Sequence, residues 1–316
     1  MDCYGQKFII ELFGASHTPE LGVTITGVPA SLPVCEKDFE KDLLRRKSGR
    51  LGTTPRIESD IPHIEDHRAT DGTVRISFSN DNFRPQDYST FKDIPRPGHA
   101  DFVAFSKYGS LRDGYFSGRM TLPVVAAGVI AKKLIDPISV SARIIELGGI
   151  PASDETKVTE ALASASEEGD SLGAVIECTC TGVPVGVGEP FFDSLESHIS
   201  HAMFSIPGIR GVEFGDGFKA ASMKGSDHND PFADGTGRTL RNGAGGINGG
   251  ISNGNPIIFR IAVKPTSSIR KAQTTFDFSK GEMTEISVPG RHDVCFALRV
   301  PPVVEAMTAI VLANFI

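Results

Sequence analysis

Residues 121–135, TLPVVAAGVIAKKLI, are apolar on almost every face of a helix. A helix without a polar face has nothing to offer water, so this one is expected at the centre of the fold with structure packed around it. Pro123 suits its first turn, where a missing N–H costs nothing. Residues 303–316 read as a second apolar helix that closes the sequence.

Strands are expected wherever apolar residues alternate with polar ones. Phe8, Ile10 and Leu12 form one such set, Val23 and Ile25 against Thr24 and Thr26 a second, and Val74, Ile76 and Phe78 a third. Ile138, Val140, Ala142 and Ile144 follow, then Ile257, Phe259, Ile261 and Val263; residues 294–300 read as a last strand. A helix begins with Glu36 and Asp38, carries Cys35, Phe39 and Leu43 at helical spacing, and ends in Arg45, Arg46 and Lys47, charges that suit both ends of its dipole. Val158, Ala161, Leu162 and Ala165 stripe another helix that stops at Gly169, and Leu195, Ile199, Ala202, Met203 and Ile206 a third. Residues 48–73 lack periodicity and read as a long loop of the kind that carries function.

One pattern occurs twice. Leu21-Gly22 opens a strand that ends in TGVP (26–29), and Leu172-Gly173 opens another that ends in TGVP (181–184), each before a helix. Either a strand, turn and helix unit is duplicated, giving a pseudo-twofold within one domain spanning 1–316, or four letters coincide.

Bulk properties narrow the function. With 40% hydrophobic and 22% charged residues among 316, the composition is that of a soluble globular protein. No run reaches the roughly 18 apolar residues of a membrane span. The start, MDCYGQKFII, lacks the basic and cleavable pattern of a secretory signal, so a cytoplasmic location is expected by default. Five cysteines without CxxC spacing argue against a disulfide framework or a zinc site, and no metal is expected; Cys178 and Cys180 share a buried strand face. A formal charge of -7 argues against a nucleic-acid binder. Cations nevertheless gather in Arg45, Arg46, Lys47, Arg50 and Arg56, in Arg96, Lys107, Arg112 and Arg119, and in Lys264, Arg270, Arg291 and Arg299. An acidic protein that concentrates cations this way suits a small polyanion; several solvated faces are the alternative.

Chemistry is expected at a few points. Residues 242–268 join a glycine-rich turn, a strand and the clamp Lys264, Pro265, Thr266, Ser267, Ser268. Hydroxyls and amides beside one cation are phosphate-cradling chemistry, and a hinge with an ordinary turn is the alternative. His17 ends the first strand. His99 lies between a glycine and Asp101, a setting that tunes a ring or a loop histidine with no task. Asp293 next to Arg291 is an acid-base group or a surface ion pair. His198 and His201 flank an apolar stripe and read as interface or surface histidines.

Taken together these segments resemble the chorismate synthases nearly end to end. The likeness rests on FGASH (13–17), RPGHADF (96–102), SGR (117–119), VAAGVIAKK (125–133), GVEFGDGF (211–218), AGGINGGIS (244–252), KPTSS (264–268) and GRHD (290–293), in the family's order. It implies an α+β sandwich with helices between antiparallel sheets, with which the alternating strands and apolar helix agree, and a homotetramer. It implies elimination of phosphate from 5-enolpyruvylshikimate 3-phosphate to give chorismate, with reduced FMN as cofactor and no net redox change; NADPH is a reductant of that flavin in some members only. By the same likeness His17 protonates the departing phosphate, His99 supplies a proton to the reduced flavin, and Asp293 finally receives one. FMN would lie along Ser117, Pro207, Gly208, Gly249 and residues 264–268 with Arg291 beside it, and Arg46, Arg50 and Arg119 would meet substrate or NADP. Ala15 and Thr18 depart from the glutamate and glycine usual around the first histidine, and Tyr115 and Phe116 from arginine and serine near the flavin. A flavin reductase and a silent flavin or phosphate binder are the rival readings.

Overall fold

The computed structural model describes residues 2–80, 91–290 and 292–316. Its first half forms a sheet from β1 (Cys3–Tyr4), β2 (Ile9–Gly14), β3 (Glu20–Thr26), β4 (His63–Asp66) and β5 (Thr73–Ser79), ordered β1-β2-β3-β5-β4 and antiparallel throughout. Register places Val23 opposite both Leu12 and Ile76, so apolar residues of three strands fall on one face. Leu21, Val23, Ile25, Val74 and Ile76 are wholly buried there. Helices α1 (Glu40–Arg46), α2 (Asp101–Tyr108) and α3 (Thr121–Leu134) belong to this half.

The second half builds a like sheet from β6 (Ser139–Leu147), β7 (Ile150–Pro151), β8 (Ala174–Thr181), β9 (Ile209–Phe214) and β12 (Ile257–Val263), ordered β7-β6-β8-β12-β9 and again antiparallel. Helices α4 (Glu155–Glu168), α5 (Leu195–Ser205) and α6 (Gly225–His228) lie between its strands in sequence. Hairpins β10 (Ile247–Asn248) with β11 (Ile251–Ser252) and β13 (Gln273–Asp277) with β14 (Glu282–Ile286) stand apart, and α7 (Pro301–Phe315) ends the chain.

Helix α3 packs on β2, β3 and β5; α7 packs on β6 and β8; and α3 packs on α7. Apolar residues all round α3 thus have a sheet on one side and a helix on the other. A Cβ on Gly128 would lie 2.2 Å from the Cβ of Ala306, so glycine permits the two backbones to approach. Glycine in a helix costs about 1 kcal/mol relative to alanine. Each buried valine or isoleucine contributes on the order of 1.5–3 kcal/mol, and Val125, Val129 and Ile130 beside it outweigh that cost.

Residues 294–300 are not a strand. Phe296–Arg299 is a 3-10 turn, with Leu298 N donating to Cys295 O and Val300 N to Ala297 O. Alternation in VCFALRV is read equally well by a tight turn that buries Cys295, Ala297 and Val300, and Pro301 and Pro302 then start α7. Residues 48–73 contain β4, whose Ile64 pairs with Ile76.

Candidate active site

The His17 loop leaves β2 and re-enters the sheet at β3, so its ends are fixed by the ladder. Thr18 Oγ1 accepts from Ala15 N (2.8 Å) and has Ala15 O and Glu20 O within reach at 2.9 and 2.7 Å. Thr18, one of the departures noted above, is therefore the clasp of its own loop. Buried Asn80, directly after β5, donates from Nδ2 to Ala15 O (3.0 Å) and Thr18 O (2.8 Å) and accepts from Arg119 Nε (3.0 Å) at Oδ1. Gly114, at φ +77, presses on the loop: a Cβ there would meet Ser16 Oγ at 2.2 Å and His17 Cδ2 at 2.5 Å. Tyr115 donates to Asp2 Oδ1 at 2.7 Å, so its hydroxyl is engaged with the N-terminal segment. Ser117 caps the turn Gly118–Met120 by accepting from Arg119 N at 3.2 Å.

Below this loop lies a buried cluster of charge. Arg46 Nε donates to Thr121 Oγ1 (3.1 Å), Nη2 to Gly118 O (3.3 Å) and Nη1 to Asp60 Oδ2 (3.4 Å). Arg119 Nη1 bonds the other Asp60 oxygen. Burial alone would raise the Asp60 carboxyl, but Arg46 and Arg119 together hold it below the ordinary range. Burial, with Arg299 near by, pulls Arg46 down. Arg50 is more exposed and ties two segments together, donating from Nη2 to Arg45 O (2.8 Å) and Leu298 O (2.9 Å).

His99 sits on the turn that starts α2. Its Nδ1 lies 2.7 Å from Asp101 Oδ1 and 3.0 Å from Arg96 Nη2. A guanidinium only donates and the ring nitrogen has one in-plane site, so both contacts cannot be hydrogen bonds. The shorter, carboxylate contact assigns the Nδ1 proton to Asp101 and leaves Nε2 for proton transfer. Arg96 grips Asp101 with Nε and Nη2, both at 2.7 Å, and reaches Ser268 Oγ with Nη1 at 2.9 Å. Against the pull of burial, Arg96 and His99 hold Asp101 well below the usual carboxylate range.

Lys264 Nζ donates to Gly98 O (2.5 Å) and Ser267 Oγ (2.5 Å), and Lys264 N to Gly208 O (2.9 Å). The turn of His99, the 207–208 turn and the 264–268 clamp are thus one hydrogen-bonded unit. Burial and Arg210 lower the affinity of Lys264 for its proton, and among the described residues no carboxylate acts to raise it. Thr266 Oγ1 is buried with no partner among the described residues. A cation without a carboxylate partner and an unpartnered hydroxyl on one clamp fit the phosphate of a flavin mononucleotide. Gly249 lies elsewhere, at the exposed tip of the β10–β11 hairpin, with no hydrogen bond to the clamp.

Asp293 Oδ1 accepts from Thr54 N at 2.8 Å and lies 3.5 Å from Arg299 Nη1. Arg291 falls outside the described residues. His292 Nε2 lies 3.3 Å from Pro289 O, and burial lowers its proton affinity, with the charges of Arg96 and His99 adding to that and Asp293 opposing it. Sequence patterns had not singled out Asp60, Asn80, Thr54 or His292. Their neighbours lie up to 239 residues away, a distance at which no local signal survives.

The family model described as chorismate synthase matches residues 8–316. A chorismate synthase of Chitinophaga pinensis is 51% identical over all of this chain and 96% of its own length. One from Methanosarcina acetivorans is 41% identical over 98% of this chain and 94% of its own. A solved chorismate synthase structure superposes with a TM-score of 0.74 at 24% identity, covering 99% of this chain and 92% of that one, and shares its mix of helices and antiparallel sheets.

Proposed function

The chain belongs to the chorismate synthase family, and we propose which of its residues serve that family's reaction, and how. The enzyme is a carbon–oxygen lyase that eliminates phosphate from 5-enolpyruvylshikimate 3-phosphate to give chorismate, the last step of the shikimate pathway. The observation that carries the residue assignment is the joined unit of His99, Asp101, Arg96 and the 264–268 clamp, next to a buried arginine cluster that the His17 loop overlies through Asn80.

Lys264, Pro265, Thr266, Ser267 and Ser268, with Ser117, Pro207, Gly208 and Arg291, would hold reduced FMN. When bound, that group supplies electron density to the breaking carbon–oxygen bond and recovers it, leaving no net redox change. His17 gives a proton to the departing phosphate oxygen. With Nδ1–H committed to Asp101, His99 passes on a proton from Nε2 of its imidazolium form. Asp293 accepts a proton at the end, and Arg46, Arg50 and Arg119 set the positive field that draws in the substrate, with NADPH as a reductant to be tested.

Strand orders β2-β3-β5-β4 and β6-β8-β12-β9 correspond one to one, with α1 matching α5, α3 matching α7 and a TGVP turn after β3 and after β8. These matches support one layered sandwich domain over 1–316 with an internal pseudo-twofold. Phe191, Phe192 and Phe218, exposed to 87, 93 and 84%, support burial against further copies in a homotetramer. A cytoplasmic enzyme agrees with the absence, among described residues, of any helix long and apolar enough to cross a membrane.

Anaerobic incubation with reduced FMN and the substrate tests the reading. Many phosphates released per flavin are expected. One flavin oxidised per turnover would indicate a reductase, and flavin binding without phosphate release a silent binder.

A further inference from the structure

We propose that Arg299 is a further substrate-binding residue, taking an oxyanion of the substrate on its Nε. Arg299 ends the 3-10 turn before α7, and its side chain is 12% exposed. Nε is buried with no partner among the described residues, and Nη1 has only the 3.5 Å approach to Asp293. Charge-assisted bonds between guanidinium and carboxylate normally run about 2.7–2.9 Å.

Other arginines of this protein set the standard for a structural role. Arg45 grips Glu305 with two bonds of 2.7 Å, Arg96 grips Asp101 with two of 2.7 Å, and Arg68 grips Asp66 at 2.8 and 2.6 Å. Among the described residues Arg299 has no such carboxylate. In its neighbourhood, among the described residues, the guanidiniums of Arg46, Arg50, Arg119 and Arg299 outnumber the carboxylates of Asp60 and Asp293, and Asp60 is already shared by Arg46 and Arg119. Arg119 Nη2 is likewise buried without a partner among the described residues. A buried guanidinium left short of acceptors is unfavourable, and an incoming anion with two oxygens completes it. The family's substrate offers two carboxylates and a phosphate. Arg50, held against Leu298 O at 2.9 Å, fixes the turn on which Arg299 stands.

The proposal rests on the family reaction, so its test separates the two. Arg299→Gln and Arg299→Lys are compared with the parent for kcat/KM, for FMN affinity, for Tm, and for the Kd of substrate in the presence of oxidised FMN, where no turnover occurs. Loss of a charged hydrogen bond predicts a substrate Kd weakened about tenfold to a hundredfold in Arg299→Gln, with FMN affinity and Tm unchanged. Arg299→Lys, which keeps the charge and loses the fork, should fall between. Chorismate, which has the carboxylates and no phosphate, assigns the source: a parallel loss identifies a carboxylate, and unchanged chorismate binding identifies the phosphate. A parent that turns over beside an Arg299→Gln enzyme that binds substrate as tightly overturns this proposal and leaves the family reaction standing. Equal losses in substrate affinity, FMN affinity and Tm also overturn it, marking a structural arginine. If Arg299→Gln does not fold, parent-like substrate affinity in Arg299→Lys overturns it alone.

Discussion

Replacing His99 with alanine is expected to lower kcat by about a hundredfold or more while Tm stays within error of the parent. The ring is outside the core, on a turn whose backbone is held by His99 N donating to Arg96 O at 3.1 Å. Without the ring, Asp101 keeps both bonds from Arg96, so no buried charge is stranded. What is lost is the proton carrier beside the clamp, whose far nitrogen is freed by Asp101 on its near one. Steady-state assays at saturating reduced FMN, beside calorimetry, separate the two effects. His17→Ala should behave likewise, since Asn80 and Thr18 hold that loop without the imidazole. Near-parental turnover in either variant removes the role assigned to it.

Glu305→Ala should cost about 3–5 kcal/mol of stability, the usual result of breaking a buried ion pair from one side. Glu305 is 3% exposed on α7, yet it accepts from Arg45 of α1 at 2.7 Å twice, from Lys132 of α3 at 2.8 Å and from Ala142 N of β6 at 2.9 Å. Alanine would leave Lys132 with Asp42 alone, Arg45 with a 3.3 Å contact, and the Ala142 amide without its acceptor. Burial opposes the charge of Glu305, but Arg45 and Lys132 prevail and its pKa falls below the ordinary 4.5. A depressed carboxylate pKa means that the unfolded chain binds the proton more readily. The stabilisation is therefore full above the unfolded value and is lost as pH falls toward the folded one. Urea titrations of parent and Glu305→Gln should accordingly converge as the pH is taken below about 4.5. A difference in stability that widens with acid would contradict the assignment.

The helix at 121–135 was legible because a face without polar groups has one physical solution, burial on all sides. Strands β3, β8 and β12 were legible for a related reason: each buries one face, and alternation records it. Hairpin β13–β14 was not, since its covered face is written mostly in polar residues, Gln273, Thr275, Asp277 and Thr284 with Ile286, while the apolar Phe276 and Met283 remain exposed. Helix α2 is short and leaves Phe102 and Val103 half exposed, so its periodicity was weak. At the site, glycine and hydroxyl density marked the 264–268 clamp, whereas the roles of His17, His99 and Asp293 came from family likeness. Asp60 illustrates the limit. Within a run of charges and prolines it reads as loop, and only the folded chain brings Arg46 and Arg119 to its two oxygens.

A crystal structure with oxidised FMN and 5-enolpyruvylshikimate 3-phosphate bound tests the central claim most directly. The flavin phosphate should rest on residues 264–268. His99 Nε2 and Asp293 should lie about 2.6–3.2 Å from flavin or substrate atoms, and His17 at a similar distance from the substrate phosphate. Flavin bound away from the clamp, or either histidine turned away from flavin and substrate, would contradict the account.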